Sequence, residues 1–135
     1  KPAIAFFEKW ESTLHKIEKG YYGKCFRLGI LGAGAGGIEL AFTMQKRLIG
    51  IIPDIEIHIF QREKEILHSL NDKTKFKVIR LLKERKIQLH IEEEISNIVS
   101  AKTGLSCKSV RGNEYQLEFY SWCSESKIFE LDRGE

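Results

Sequence analysis

The stretch Phe26-Arg27-Leu28-Gly29-Ile30-Leu31-Gly32-Ala33-Gly34-Ala35-Gly36-Gly37-Ile38-Glu39-Leu40-Ala41-Phe42-Thr43-Met44-Gln45 decides the fold. Its first six residues form an apolar run that reads as a buried strand, and its last eight read as a helix. Between them Gly32, Gly34 and Gly37 satisfy G-x-G-x-x-G at a strand-to-helix turn, the context in which the pattern carries weight. The first glycine permits the tight turn. The second lets a pyrophosphate approach the backbone, and the third lets helix and strand pack closely. Free N–H groups at the helix N-terminus then face the phosphates, and the helix dipole favours their charge. Gly32, Ala33, Gly34, Ala35, Gly36 and Gly37 are therefore the candidate dinucleotide contacts. The bland alternative is a βα turn in a domain whose ligand site lies elsewhere or is lost.

Working outward, the strand covers about 25–31 and its helix about 36–48, with Gly50 and Pro53-Asp54 marking the next turn. Ile55-Glu56-Ile57-His58-Ile59-Phe60 alternates strictly and places its three isoleucines on one face of a second strand. Strand, helix and strand make a βαβ unit, whose right-handed crossover implies parallel pairing. Asn71 or Asp72 is placed to cap a helix over 72–85 carrying Phe76, Ile79, Leu81 and Leu82. A third strand spans Ile87 to Ile91. The period then stays at two, with strands at 95–101, 105–110 and 115–117 separated by Lys102-Thr103-Gly104 and Arg111-Gly112-Asn113. Three such strands predict an antiparallel meander, and residues 119–123 predict a last strand. Upstream, Phe6, Phe7, Trp10, Leu14 and Ile17 recur at helical spacing over 4–19, with Gly20 as a stop. The expectation is an α/β fold: a Rossmann-like parallel sheet with βαβ units and an antiparallel β-meander, preceded by an amphipathic N-terminal helix. Its parts are a connector helix over 1–24, a nucleotide-binding domain over 25–123 and a polar tail over 124–135.

With 135 residues, 42% of them apolar and 30% charged, the chain can bury one real core. The net charge of +3 is small, and Lys and Glu are interspersed, so no nucleic-acid stripe is read. Lys73, Lys75 and Lys77 read as a solvated helix face. No apolar run reaches the ~18 residues that a membrane span needs. Cys25, Cys107 and Cys123 lie far apart without a C-x-x-C, which predicts reduced thiols in a cytoplasmic setting and no metal knuckle. The four histidines do not cluster at metal-ligand spacing; His58 and His90 fall inside predicted strands as packing or surface residues. No signal peptide is visible. The opening Lys1-Pro2, without Met, predicts a processed chain or an excised piece.

A site of this kind usually places an acid at the end of the second strand, where it holds an adenosine ribose hydroxyl. Here Gln61 follows Phe60, and Arg62 follows Gln61. Loss of the carboxylate removes repulsion against a 2′-phosphate, and Arg62 can pair with one bidentately. That tilts the choice toward NADP, while Glu63 keeps NAD open. Glu39, in the first turn of the helix, is either a dipole-favoured helix start or an acceptor for a nicotinamide carboxamide. No nucleophile–base pair and no acid–base carboxylate pair can be read, so no catalytic residue is named. Any redox chemistry would be carried by cofactors that the protein positions.

The run from Arg27 to Ala41 resembles the NAD(P)H-binding segment of the FAD-dependent pyridine nucleotide-disulfide oxidoreductases. In particular it resembles the branch of type II NADH dehydrogenases and of flavoprotein domains fused to selenide, water dikinase, whose pattern is G-x-G-x-G-G-[IV]-E-x-A. The predicted element order is similar over nearly the whole chain, and the Phe6-Phe7…Trp10 helix resembles the connector that leads from the flavin domain. The resemblance implies NAD(P)H binding, a partner FAD-binding domain in the same parent chain, FAD bound there and not by this fragment, and hydride passing from nicotinamide to flavin. The sequence departs from the family at three places. Gln61 replaces the ribose acid, Trp122-Cys123-Ser124-Glu125 stands where a W-A-T-G-like motif ends the last strand, and Glu92-Glu93-Glu94 replaces a glycine-containing loop. Three acids there would repel a 2′-phosphate. These departures support a second expectation, a degenerate Rossmann module with a regulatory or interaction role and little nucleotide binding.

Overall fold

The strand that precedes the glycine turn, β1 (Cys25–Leu31), lies at the centre of a five-stranded sheet. On one side it pairs in parallel with β2 (Asp54–Phe60), which pairs in parallel with β3 (Ile87–His90). On the other it pairs in parallel with β7 (Phe119–Cys123). This computed structural model describes residues 2–67, 70–102, 104–123 and 128–129. The register sets His90 beside Phe60, Phe60 beside Leu31, and Leu31 beside Trp122. The C-terminal ends of four parallel strands therefore finish in one row, the edge at which open α/β sheets bind ligands.

Three helices cover one face of this sheet. α1 (Pro2–Glu18), α2 (Ala35–Leu48) and α3 (Asp72–Glu84) pack with Phe26, Leu28, Ile30, Ile57 and Ile59 into one core. The expected β2 alternation holds, with Ile57 and Ile59 on the helix face and Phe60 on the other. The opposite face carries the antiparallel meander of β4 (Ile95–Ala101), β5 (Gly104–Ser109) and β6 (Glu114–Leu117). Ile98, Cys107 and Leu117 pack there against Phe60 and Tyr120. Gly29 allows the close approach: a Cβ on it would stand 2.5 Å from Leu117 Cδ1. The α/β architecture, parallel sheet, meander and leading helix are those expected from the sequence.

α1 belongs to this core. Phe6, Trp10, Leu14 and Ile17 are buried in it, and the Trp10 ring lies 5.2 Å from that of Phe119 and 6.4 Å from that of Phe26. The helix closes on a Schellman turn, with Gly20 at φ +82° and Tyr21 N–H donating to Lys16 O at 2.9 Å. α3 opens as expected at Asn71, whose Oδ1 accepts from Thr74 N–H at 2.8 Å. At the base of the sheet the Arg27 guanidinium grips the Glu118 carboxylate at 3.1 and 2.6 Å, and Arg27 N–H donates to the same carboxylate at 2.7 Å. This clamp fixes the turn from β6 into β7 against β1.

Two expected apolar stripes are narrower than the sequence implied. Phe7 is 55% exposed, because one helical step of about 100° from Phe6 turns it off the Phe6-Trp10-Leu14-Ile17 line. In α3 only Leu82 is buried, with Val78 half-buried beside it at i, i+4. Phe76, Ile79 and Leu81 are exposed, Phe76 at 72%. The expected polar tail contributes a short strand, β8 (Ile128–Phe129), antiparallel to β7. The rest of that tail, with Ser124 and Glu125 of the last-strand motif, lies outside the described residues.

Candidate functional site

The glycine turn opens at the end of β1 onto a cavity of about 890 Å³. Two of its glycines are required by the backbone. Gly32 has φ +125°, and a Cβ there would collide with the Cys123 carbonyl oxygen. A Cβ on Gly37 would collide with the Gly32 carbonyl oxygen, so the start of α2 can sit against the turn only without a side chain. Gly34 is the N-cap of α2, with Ile38 N–H donating to its carbonyl at 3.1 Å. The first N–H groups of a helix have no intrahelical partner, so the N-terminus of α2 presents donors at this turn.

Of the residues expected at a nucleotide site, Gly32, Ala33, Gly34, Ala35, Gln61 and Arg62 line the cavity together. Gly36 and Gly37 do not line it. Glu39 is exposed on α2 and does not line the cavity. Gln61 ties the wall together. Its Oε1 accepts from Ala33 N–H at 3.2 Å, and its Nε2 donates to Glu65 O at 2.8 Å. Its main chain continues the row of strand ends: Gln61 N–H donates to His90 O at 2.8 Å, and Glu93 N–H donates to Gln61 O at 2.9 Å. The Gln61–Arg62 segment and the Glu92–Glu94 loop are thus laced to each other.

The three acids of that loop are not equivalent. Glu93 is buried, and its carboxylate accepts from Tyr115 O–H at 2.6 Å and Asn113 Nδ2 at 2.7 Å. Burial alone would raise the Glu93 carboxyl; the hydrogen bonds from Tyr115 and Asn113 outweigh it and hold the group below its ordinary range. The same burial, reinforced by the bond to Glu93, pushes Tyr115 up to about 12. Both bonds tie Oε2 to the β5–β6 hairpin, and Oε1 is buried without a hydrogen-bond partner among the described residues. Glu94 is exposed on the cavity wall.

Two of three further parts of the site carried no signal in the sequence; the third, Trp122, was named there only within the last-strand motif. Leu67 and Leu70 form an apolar lip, Ile95 to Ile98 of β4 form the far wall, and Trp122, 46% exposed, stands beside the glycine turn. Each comes from a part of the chain remote from the turn, and only the sheet order brings it near. The second missed feature is a histidine pair. His58 Nδ1 and His90 Nε2 lie 2.9 Å apart, and His58 Nε2 lies 3.0 Å from Glu56 Oε1. Both rings stack with Phe60, and Tyr115 meets them edge-on. Parallel register sets His58 and His90 on neighbouring strands, which spacing along the sequence cannot show.

No family model matches the chain. Over 123 residues it is 28% identical to the alternative NAD(P)H-ubiquinone oxidoreductase C1, chloroplastic/mitochondrial, of Arabidopsis thaliana, a match covering 88% of this chain and 22% of that protein. This chain resembles the pyridine nucleotide-disulfide oxidoreductases over most of its length. Solved structures share the fold. An engineered water-forming NADPH oxidase bound to NADPH, a mutant of the Lactobacillus brevis NADH oxidase, matches with a TM-score of 0.63 at 19% identity, over 88% of this chain and 24% of that one. A ferredoxin reductase from Rhodopseudomonas palustris matches with a TM-score of 0.66 at 12% identity, over 87% and 26%. The chain thus spans about a quarter or less of the length of the proteins to which an oxidoreductase activity is attached. Among the described residues no helix is long and apolar enough to cross a membrane, and no cluster of three metal-ligating side chains is found.

Proposed function

We propose that this chain is the NAD(P)H-binding domain of a flavin-dependent oxidoreductase and binds the coenzyme in the cavity at the glycine turn. The observation that carries this reading is the meeting of Gly32, Gly34 at the α2 N-terminus, Gln61 and Arg62 on one wall of a cavity large enough for a dinucleotide. Main-chain N–H groups from Gly34 onward would hold the pyrophosphate. Arg62 would pair with a 2′-phosphate, and Trp122 would offer a flat apolar surface near the turn. Bound NAD(P)H supplies a hydride; this chain's own residues bind the coenzyme and orient it. The flavin would be held by a further domain of the parent chain, and that domain is the proposed partner. Glu39 is retained as a candidate carboxamide acceptor, reached only by a ligand extending past the cavity wall. A cytoplasmic, reducing compartment belongs to the same reading, in keeping with the sparse, widely separated cysteines.

Coenzyme choice turns on Gln61 and Arg62. The Gln61 side chain is spent on Ala33 and Glu65, so it offers the ribose no carboxylate. Tyr115 and Asn113 hold one oxygen of the buried Glu93 carboxylate, and Glu63, Glu93 and Glu94 all line the cavity, so acids oppose Arg62 there. The balance favours NADPH modestly. The engineered NADPH oxidase makes the same chemical exchange: among its five substitutions an aspartate becomes alanine and the adjacent alanine becomes arginine. Titration with NADH and with NADPH, followed by tryptophan fluorescence, tests the reading; saturable binding with NADPH the tighter ligand is expected.

One observation favours the second reading, a scaffold that has lost its ligand. Gln61 Oε1 already takes the Ala33 N–H, one of the donors at the turn. Failure of both coenzymes to bind the folded chain at millimolar concentration would select that reading.

A further inference from the structure

Away from the cavity, α3 carries a surface that the nucleotide site does not use. Phe76 is 72% exposed and Ile79 40% exposed, and the two sit in a shallow hollow lined otherwise by Lys73, Lys77, Arg80 and Lys83. No acid lines it; Asp72 and Glu84 stand at the two ends of the helix. Lys75 is already paired, with Glu65 at 2.7 Å. Among the described residues the four lining cations have no ion-pair partner. The fold does not need the exposed side chains, because α3 is anchored by Val78 and Leu82 on the opposite side.

We propose that this face of α3 docks the domain onto an anionic lipid bilayer, with Phe76 and Ile79 entering the interface and Lys73, Lys77, Arg80 and Lys83 meeting the headgroups. The composition selects this occupant. Protein interfaces are depleted of lysine at their centres and surround aromatic anchors with apolar neighbours. Here one aromatic is ringed by long flexible cations, the pattern of a helix lying at a membrane surface. Lysine and arginine can keep their charges in the headgroup layer while their stems follow the apolar groups inward. Anionic headgroups attract each cation near the surface, and the attraction fades within a Debye length. An acidic protein would take the charges but leave Phe76 without a use.

The test is co-sedimentation of the full chain with phosphatidylcholine vesicles, with and without about 30% phosphatidylserine. Binding only to the serine-containing vesicles is expected, weakening as salt rises. The exposed double variant Lys77→Glu/Arg80→Glu should lower the partition coefficient by about tenfold or more. Phe76→Ala should lower it severalfold, while Lys46→Glu/Lys108→Glu, with the same charge change on other surfaces, should retain most of it. Circular dichroism confirms that each variant is folded. The proposal is overturned if the parent chain fails to sediment, if both vesicle types bind it equally, or if the control pair loses as much as the α3 pair. It is also overturned if Phe76→Ala binds unchanged and soluble polyglutamate or RNA displaces the vesicles, which would make α3 a plain polyanion site.

Discussion

Gln61 Oε1 accepts a hydrogen bond from the main-chain N–H of Ala33 at 3.2 Å. The residue that replaces the expected ribose acid thus serves as a strut between the end of β2 and the glycine turn. Gln61→Glu keeps that acceptor and gives up only the donation to Glu65. It also places a carboxylate where a ribose hydroxyl is bound in sites of this kind and where a 2′-phosphate is repelled. The ratio of dissociation constants for NADH and NADPH should therefore move toward NADH by about tenfold, the scale of one charge-assisted bond. An unchanged ratio would remove Gln61 from the coenzyme site.

Gly34→Val should abolish coenzyme binding without unfolding the chain, because Gly34 has an ordinary extended backbone at φ −80° and ψ −178°. Gly32→Ala should behave differently. Its positive φ and its contact with the Cys123 carbonyl force the main chain apart, at a cost of about 2 kcal/mol or more. Urea denaturation separates the two: a fall in midpoint is expected for Gly32→Ala and little change for Gly34→Val.

Glu118→Ala should destabilise the chain by about 1–3 kcal/mol, because it strands the half-buried Arg27 guanidinium and an Arg27 N–H together. The measurement is again the denaturation midpoint. A change below about 0.5 kcal/mol, the range of ordinary surface substitutions, would show that the clamp contributes nothing.

The same assay separates the two faces of α1. Trp10 is 4% exposed and touches Phe26 and Phe119, so Trp10→Ala should cost about 3–5 kcal/mol. Phe7→Ala should cost far less, within about 1 kcal/mol, since Phe7 is 55% exposed and its ring meets that of Phe6 only edge-on. Equal losses would mean that the helix packs on another face.

The histidine pair predicts a pH dependence. Burial and the neighbouring His58 hold His90 below its ordinary value of 6.5. The folded chain therefore binds this proton less readily than the unfolded chain, and the stability linked to it is fully present above pH 6.5 and lost as pH falls through the lower, folded value. Protonating both rings would also set two donors face to face at 2.9 Å. His90→Gln should flatten the stability profile just below pH 6.5 and leave the acid limb owed to Glu93, which lies below 4.5, in place.

Much of the fold was legible because it depends on short-range patterns. Strict alternation in β2, the glycine turn after β1 and Asn71 before α3 each act within a few residues. The helix faces were less legible, since apolar spacing marks where a side chain can point and not whether a neighbour meets it. Phe76 and Ile79 satisfy helical spacing and remain in solvent. In the candidate site, the glycines, Gln61 and Arg62 could be named because they flank consecutive strand ends. Leu67 and the His58–His90 pair could not, because parallel register and strand order alone bring them together.

The central claim is that the glycine-turn cavity is the coenzyme site, and amide-resolved NMR of the full chain titrated with NADPH tests it most directly. The account predicts saturable shifts confined to the amides of Ala33 to Gly37, Gln61, Arg62 and Glu94 to Ile98, and absent in Gly34→Val. Shifts that cluster elsewhere in the fold, or a spectrum unchanged at millimolar NADPH and NADH, would contradict it.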